Sequence, residues 1–177
     1  MQGEETETMS IEEHKKVQLK NVKVMVVTIS DTRTYETDKS GRVMCEQLSK
    51  NLFEITRYEI IKDEIEDIAS TLKSGILDSN VDVILTNGGT GISHRDVTFN
   101  AVEELIDKPI PGFGELFRIL SYEEIGSASM LSRAIAGIAN ETAIFSTPGS
   151  TGAVKLAMEK LILPELVHIV NELKKDN

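Results

Sequence analysis

Short runs of apolar residues alternate along the chain with longer stretches in which apolar residues recur every three or four positions. The short runs are rich in β-branched residues and end at turn signals, which is typical of strands buried on both faces. They lie at residues 22–29, 53–61, 81–86 and 142–146. Strands that alternate with helices form a sheet covered on both sides. The pattern therefore predicts a single α/β domain with three α/β/α layers and a doubly wound, mainly parallel sheet.

The helical stretches in the first half of the chain carry start signals. A helix predicted over residues 40–51 has Asp38 as its candidate N-cap. A second helix, predicted over residues 97–107, has Thr98 as a plausible N-cap. Oxygen-bearing side chains at these positions accept hydrogen bonds from the first free N–H groups of a helix, so we expect both to act as caps.

The second half of the chain gives less uniform signals. Ser150 or Thr151 can cap a helix that follows the last predicted strand. Pro164 either kinks this helix or begins a new one, because proline is tolerated in the first turn and not in the interior. Residues 125–137 are rich in small side chains, and we predict a loop followed by a helical turn.

Charge and composition exclude several classes of function. The formal net charge of the 177 residues is −10, which argues against a nucleic acid partner. The single cysteine, Cys45, is predicted to be structural. No apolar run approaches the length of a membrane-spanning helix and no signal pattern opens the chain, so we expect a cytoplasmic protein without a membrane partner. Residues 1–20 are polar and predict an arm that precedes a domain over residues 21–177.

A glycine-rich loop follows the third predicted strand. It contains Gly88, Gly89, Thr90 and Gly91. Glycines let the backbone adopt positive φ and come close to a ligand, and exposed N–H groups in such a loop favour anionic oxygens such as phosphate. The spacing matches neither a P-loop nor the dinucleotide-binding fingerprint. The loop therefore predicts an anion site, and a tight strand-to-helix connection is the structural alternative.

Polar side chains follow each of the four predicted strands. They are Ser30, Asp31, Asp63, Asp96 and Ser150. The carboxyl ends of parallel strands meet at one edge of a sheet, so we expect these side chains to lie together. Two carboxylates beside a phosphate loop would repel an anion unless a cation intervenes, and Mg²⁺ with its oxygen ligands fits that role. We therefore predict Asp63 and Asp96 as metal ligands.

Each acidic candidate also has a structural explanation. Asp63 can cap the helix that follows it, with Glu66 completing a capping box. Asp96 can cap the turn that follows it, and Glu115 can be a surface residue of an amphipathic helix. Arg95 can bind phosphate or pair with one of the two aspartates.

Four motifs in order resemble those of the MoaB/Mog family of molybdenum cofactor biosynthesis proteins, and most closely its MoaB branch. They are TNGGTGIS with RDVT at residues 86–98, PGFGE at 111–115, SRAIAG at 132–137 and TPGS at 147–150. The resemblance covers roughly residues 21–166. It implies a three-layer α/β fold, a homotrimer or a homohexamer, and the adenylylation of molybdopterin by Mg-ATP with release of pyrophosphate. The alternative is a molybdopterin-binding oligomer of the same fold without catalysis.

The resemblance also implies roles for individual residues. The family's two essential aspartates match Asp63 and Asp96, and its serine at the pterin side matches Ser132. The residues that match its substrate-binding and nucleotide-binding segments are Gly88, Gly89, Thr90, Gly91, Glu115, Pro148, Gly149 and Ser150.

Overall fold

A computed structural model describes residues 22–175, in which six strands form one sheet. The strands are β1 (Lys23–Ile29), β2 (Glu54–Ile61), β3 (Val83–Asn87), β4 (Lys108–Pro109), β5 (Ile135–Ala139) and β6 (Thr142–Thr147). Their order is β2-β1-β3-β6-β5-β4. The first four strands in this order are mutually parallel, β5 pairs antiparallel with β6, and β4 pairs antiparallel with β5. The predicted arm over residues 1–20 lies outside the described residues.

Helices cover both faces of the sheet. They are α1 (Lys39–Lys50), α2 (Ile65–Ile76), α3 (Thr98–Leu105), α4 (Pro111–Ile125), α5 (Thr151–Ala157) and α6 (Leu163–Lys174), with a 3₁₀ helix at Gly126–Leu131 and a π-helical segment at Met158–Ile162. Helices α1, α4, α5 and α6 pack on one face, and α2 and α3 pack on the other. The predicted three-layer α/β/α fold is confirmed. Within residues 22–175 no helix is long and apolar enough to cross a bilayer.

Alternation along the central strands fills two separate cores. In β1, Val24 and Val26 pack beneath α1 and α4, and Met25 and Val27 pack beneath α2 and α3. Successive side chains of a strand point to opposite faces, so a strand that is apolar throughout supplies both layers. This arrangement explains why the strands read as continuous apolar runs rather than as alternating ones.

The prediction for residues 125–137 was wrong. The 3₁₀ helix comes first, and the residues that follow it form strand β5 rather than a helical turn. Strand β5 returns to β6 through a tight turn in which Asn140 and Glu141 have φ of 44° and 68°. Gly137 lies against Ile106 and the Lys108 carbonyl, where a Cβ would collide. The small residues of this segment therefore allow strand β5 to pack closely on its neighbour. The local composition alone does not predict a strand here.

Two of the predicted caps are confirmed and two are wrong. Asp38 accepts a hydrogen bond from the Gly41 N–H (3.0 Å), and Ser150 accepts one from the Ala153 N–H (3.2 Å). Thr98 does not cap α3, since Val97 occupies the N-cap position without a side-chain bond. Asp63 does not cap α2, since Glu64 occupies that position, also without a side-chain bond.

Pro164 lies in the first turn of α6, which confirms the second of its two predicted roles. The π-helical segment directly before it carries the chain from α5 into α6. Proline is tolerated in the first turn of a helix, and the apolar stripe continues along α6 through Leu166, Val167 and Val170.

Candidate functional site

A cleft with a volume of about 660 Å³ opens at the carboxyl ends of β1, β3 and β6. Strand β1 connects to β2 on one side and the chain then crosses to β3 on the other, so the strand order reverses between β1 and β3. Open α/β sheets bind ligands at this kind of position. The predicted residues that line the cleft are Ser30, Gly88, Gly89, Thr90, Gly91, Asp96, Ser132, Pro148, Gly149 and Ser150.

The glycine loop takes a backbone conformation that other residues rarely adopt. Gly88 has φ of +100° and Gly89 has φ of +62°. A Cβ on Gly88 would collide with the Ile29 carbonyl, and one on Gly89 would collide with the Thr98 hydroxyl and lie 2.8 Å from Asp63 Oδ1. The loop therefore fits between β1 and α3 only because it has no side chains at these positions.

Asp63 lies beside the glycine loop with part of its carboxylate unsatisfied. Its Oδ1 atom is buried and has no hydrogen-bond partner among the described residues. Burial raises the pKa of the Asp63 carboxyl above its ordinary value, and the charges of Asp96 and Asp31 act in the same direction. The backbone N–H of Val97 opposes this effect in part. A buried carboxylate oxygen without a donor favours a proton or a cation.

Asp96 also lies beside the glycine loop, but its pKa is shifted in the direction opposite to that of Asp63. Its Oδ2 accepts hydrogen bonds from the Ser93 N–H (2.9 Å) and from the Ser93 hydroxyl. The Ser93 hydroxyl is the main reason that the pKa of Asp96 lies below its ordinary value. A Cβ on Gly91 would lie 2.7 Å from Asp96 Oδ2. The two predicted metal ligands therefore flank the same loop, and Asp96 is held in its ionised form.

Arg95 pairs with neither of these aspartates, which corrects that part of the prediction. Its Nη2 lies 3.0 Å from Asp31 Oδ2 and 3.0 Å from Glu64 Oε1, and the side chains of Arg95 and Glu64 are largely exposed. Asp31 also accepts a hydrogen bond from the Asp63 N–H (3.2 Å). Asp31 thus lies at the margin of the site, where it positions the backbone that carries Asp63.

A buried polar network beneath the cleft was not found from the sequence. Asn87 donates to the Thr28 hydroxyl (2.8 Å) and accepts from the Ser40 hydroxyl (2.8 Å). Arg33 donates to the Gly149 carbonyl (2.7 Å), which ties the TPGS loop to this network. The one sequence signal was an amide side chain, Asn87, at the end of an otherwise apolar strand. Such a residue is buried only where partners are available.

Two remaining predicted residues differ in their placement. Ser132 lies at the cleft, and its Oγ atom is buried without a hydrogen-bond partner in the described part of the chain. Glu115 is exposed and does not line the cleft. The reason is the phase of α4: Phe113 and Phe117 enter the core, so the residue midway between them points elsewhere.

The fold and the site together define a class of protein: a doubly wound α/β domain with a glycine loop flanked by carboxylates at its switch point. The sequence pattern described as "Probable molybdopterin binding domain" matches residues 25–168. The chain belongs to this family.

Named relatives cover almost the whole chain. It is 54% identical over 169 residues to "Molybdenum cofactor biosynthesis protein B" of Bacillus subtilis, covering 95% of this chain and 99% of the relative. It is 57% identical to the protein of the same name from Bacillus cereus, covering 94% and 99%.

Solved structures agree with this assignment. The crystal structure of a tungsten cofactor synthesizing protein, MoaB, from Pyrococcus furiosus matches with a TM-score of 0.79 and 40% identity, covering 88% of this chain and 99% of that one. A crystal structure of a "Molybdenum cofactor biosynthesis protein B" matches with a TM-score of 0.85 and 58% identity, covering 87% and 96%. The suspected MoaB/Mog resemblance is confirmed.

Proposed function

We propose that this protein acts in molybdenum or tungsten cofactor biosynthesis as a Mg-ATP-dependent molybdopterin adenylyltransferase. The observation that carries the proposal is the pair of aspartates around the glycine loop: Asp63, with its unsatisfied Oδ1, and Asp96, held ionised by Ser93. A protein that only bound the pterin would have no use for a buried carboxylate oxygen kept without a donor. Relatives named for molybdenum and tungsten cofactor synthesis support the pathway.

A magnesium ion fits the residues that are present. No group of three or more His, Cys, Asp or Glu side chains among residues 22–175 could hold a metal. Two carboxylates alone suit Mg²⁺, which keeps several waters and takes further ligands from substrate phosphates. Asp63 and Asp96 would hold it, and their unequal pKa values leave at least one carboxylate ionised near neutral pH. When bound, it would neutralise the charge of the triphosphate beside these carboxylates.

The remaining residues of the cleft would position the two substrates. The Gly88 N–H already donates to the Thr147 carbonyl (3.1 Å), so other N–H groups of the glycine loop, such as that of Gly89, would receive the phosphates of ATP. The TPGS loop with Pro148, Gly149 and Ser150, together with Ser30, would complete the nucleotide side. Ser132, whose buried hydroxyl lacks a partner, would bind the phosphate end of molybdopterin. Asp31 would support Asp63, and Glu115 would contribute only if another copy of the chain brings it to a cleft.

The reaction itself requires positioning rather than a protein nucleophile. An oxygen of the terminal phosphate of molybdopterin attacks the α-phosphorus of ATP and forms a new P–O–P link. The bond between the α-phosphorus and the bridging oxygen to the β-phosphorus breaks, and pyrophosphate leaves. The attacking oxygen is already ionised, so no general base is needed. The cleft therefore has to hold two anions in line and stabilise charge.

The proposal is tested by mixing purified protein with molybdopterin and Mg-ATP and measuring pyrophosphate and adenylylated pterin. We expect pterin-dependent product from the wild-type chain and at least a 100-fold loss in Asp96→Asn, on the order of one lost charge-stabilising contact. Asp67→Asn is the matched control, because Asp67 is exposed in the first turn of α2 and its substitution changes net charge equally.

The outcomes separate the two candidate functions. Tight pterin binding without pyrophosphate release would replace the transferase by the non-catalytic binder. Equal losses in Asp67→Asn and Asp96→Asn would remove Asp96 from the proposed site and leave only a general effect of charge.

We further propose that the chain forms a homotrimer or a homohexamer. Large apolar side chains on α4 and the 3₁₀ helix are exposed, from 47% for Leu131 to 75% for Met130. Leu116, Ile119 and Tyr122 repeat at a spacing of three along α4 and are also exposed. Such a face is typical of contact between subunits. Native mass spectrometry should show three or six chains, and Ile119→Lys should lower that number.

A further inference from the structure

Arg133 follows the cleft residue Ser132, but its side chain turns to the carbonyl oxygens of the glycine loop and the turn after it. Its Nη2 donates to the Gly91 carbonyl (2.6 Å) and to the Asp96 carbonyl (2.7 Å). Its Nε donates to the Thr90 carbonyl (3.2 Å). Arg133 is not among the residues that line the cleft. One guanidinium thus holds three carbonyl oxygens of the glycine loop and of the turn after it.

The guanidinium is itself held in place from behind. Its central carbon lies 5.2 Å from the centroid of the Phe99 ring, a cation–π distance. Its Nη1 lies 3.4 Å from the Asn100 side-chain oxygen. Both residues are in the first turn of α3, so Arg133 joins the glycine loop to the beginning of that helix.

The geometry of the peptide unit explains what this contact achieves. The C=O and N–H of one peptide point in opposite directions. Arg133 holds the Thr90 carbonyl, and the N–H of the same peptide, on Gly91, faces the Asp96 carboxylate. A carbonyl that turned toward the cleft would present a negative dipole to a phosphate. Holding the Thr90 carbonyl at the back therefore keeps the Gly91 N–H directed at Asp96, one of the two proposed metal ligands.

We propose that Arg133 is a positioning residue that orients the peptides of the glycine loop and never touches the substrate. The planar guanidinium supplies several donors in a fixed fork, which a lysine ammonium cannot reproduce. The proposal rests on the proposed function in one respect: it takes the loop to bind the phosphates of ATP. It differs from the simpler idea that a basic side chain near a phosphate loop attracts phosphate by its charge.

Two substitutions separate these ideas. Arg133→Lys keeps the charge and loses the fork, and Arg133→Met loses both. We expect both variants to bind inorganic tripolyphosphate with Mg²⁺, and Mg-ATP, about 10- to 100-fold more weakly, because small misplacements of binding groups have effects of this size. Calorimetric titration gives the affinities. Near wild-type affinity in Arg133→Lys together with a large loss in Arg133→Met would overturn the proposal in favour of charge.

Arg57 provides a matched control. It is also a partly buried arginine (28% exposed) with several bonds, to Glu59 (2.6 Å) and Ser74 (3.0 Å), but it lies on the edge strand β2. Arg57→Lys and Arg57→Met should leave both affinities unchanged. Circular dichroism melts of all four variants identify a temperature at which each is folded, and all measurements are made there.

Hydrogen exchange tests, without any ligand, whether Arg133 orders the glycine loop. The Asp96 N–H donates to the Ser93 carbonyl (3.0 Å) and the Thr98 N–H donates to the Gly89 carbonyl (3.0 Å), so both report on the loop. We expect faster exchange at these two amides in Arg133→Met, and no change there in Arg57→Met. Unchanged exchange in Arg133→Met would overturn the proposal. If wild-type protein bound neither tripolyphosphate nor Mg-ATP, the proposed function would fail, while exchange would still decide whether Arg133 orders the loop.

Discussion

Two aspartates near the carboxyl edge of the sheet, Asp38 and Asp63, have opposite environments. Asp38 is fully buried and accepts hydrogen bonds from the Tyr58 hydroxyl (2.6 Å) and the Gly41 N–H (3.0 Å), with Arg33 at 3.4 Å. Burial acts against its charge, but these donors and Thr28 outweigh it, so the pKa of Asp38 is lowered. Asp63 is half-buried, has an oxygen without a donor, and has a raised pKa.

The difference shows how one residue type can serve stability in one place and binding in another. A buried carboxylate with its full set of donors is a structural element, because removing it leaves several donors unpaired. A carboxylate with an open oxygen gains nothing from its charge unless a cation or another ligand arrives. The four predictions that follow test this contrast, from the largest expected effect to the smallest.

Replacing Asp38 should have the largest effect on stability. Asp38→Ala leaves the Tyr58 hydroxyl, the Gly41 N–H and Arg33 without their acceptor, and we expect the free energy of unfolding to fall by about 3–5 kcal/mol. Urea unfolding followed by circular dichroism measures it. A loss below about 1 kcal/mol, the size expected for an ordinary surface change, would contradict the structural role of this network.

Replacing Gly89 should affect both stability and the site. Gly89→Ala places a methyl group against the Thr98 hydroxyl and Asp63 at a positive φ, and we expect a loss of about 1–3 kcal/mol. Binding of Mg-ATP should disappear with it. Gly112→Ala in α4 is the control, since its methyl group meets no atom within 4 Å. That change should stabilise the protein by about 0.5–1 kcal/mol, and equal losses in the two variants would argue against steric selection at Gly89.

Replacing Asp63 should separate activity from stability. Asp63→Asn removes a charge that the folded chain does not stabilise, so we expect the free energy of unfolding to stay within about 1 kcal/mol of wild type or to rise. Mg-ATP-dependent product should nevertheless be lost. A marked fall in stability would show that Asp63 has a structural partner and that the contrast with Asp38 does not hold.

The two aspartates should also respond to acid in opposite directions. The pKa of Asp38 is lowered, so its stabilisation is complete above its ordinary value of 3.8 and is lost as the pH falls below it. The pKa of Asp63 is raised, so the folded chain takes up a proton above 3.8, and the cost of its charge disappears as the pH falls. Urea unfolding from pH 3 to 7 gives the free energy of unfolding at each pH. The difference in this free energy between wild type and Asp38→Asn should shrink below about pH 3.8. The corresponding difference between wild type and Asp63→Asn should begin to shrink at a higher pH. If both differences shrank at the same pH, the opposite pKa shifts of Asp38 and Asp63 would be contradicted.

Much of the fold could be predicted because its signals are local. Strands β1, β3 and β6 are buried on both faces, and their side chains enter two cores whatever the partner strands are. The caps Asp38 and Ser150 were found because each bonds an N–H three residues away. The glycine loop and the polar residues at the strand ends were found because parallel strands bring their carboxyl ends to one edge.

Tertiary structure alone decided the features that depend on distant atoms. Strand β5 exists because β6 and β4 pair with it. Asp63 does not cap its helix, and its carboxylate lies instead against Gly89, where a side chain would collide with it. Arg133 reaches carbonyls 37 to 43 residues away in the chain. The spacing of residues in the sequence predicts only those hydrogen bonds that join residues within about one helical turn of each other. The choice of a side chain between a local cap and a remote partner is settled only when the remote partner is in place.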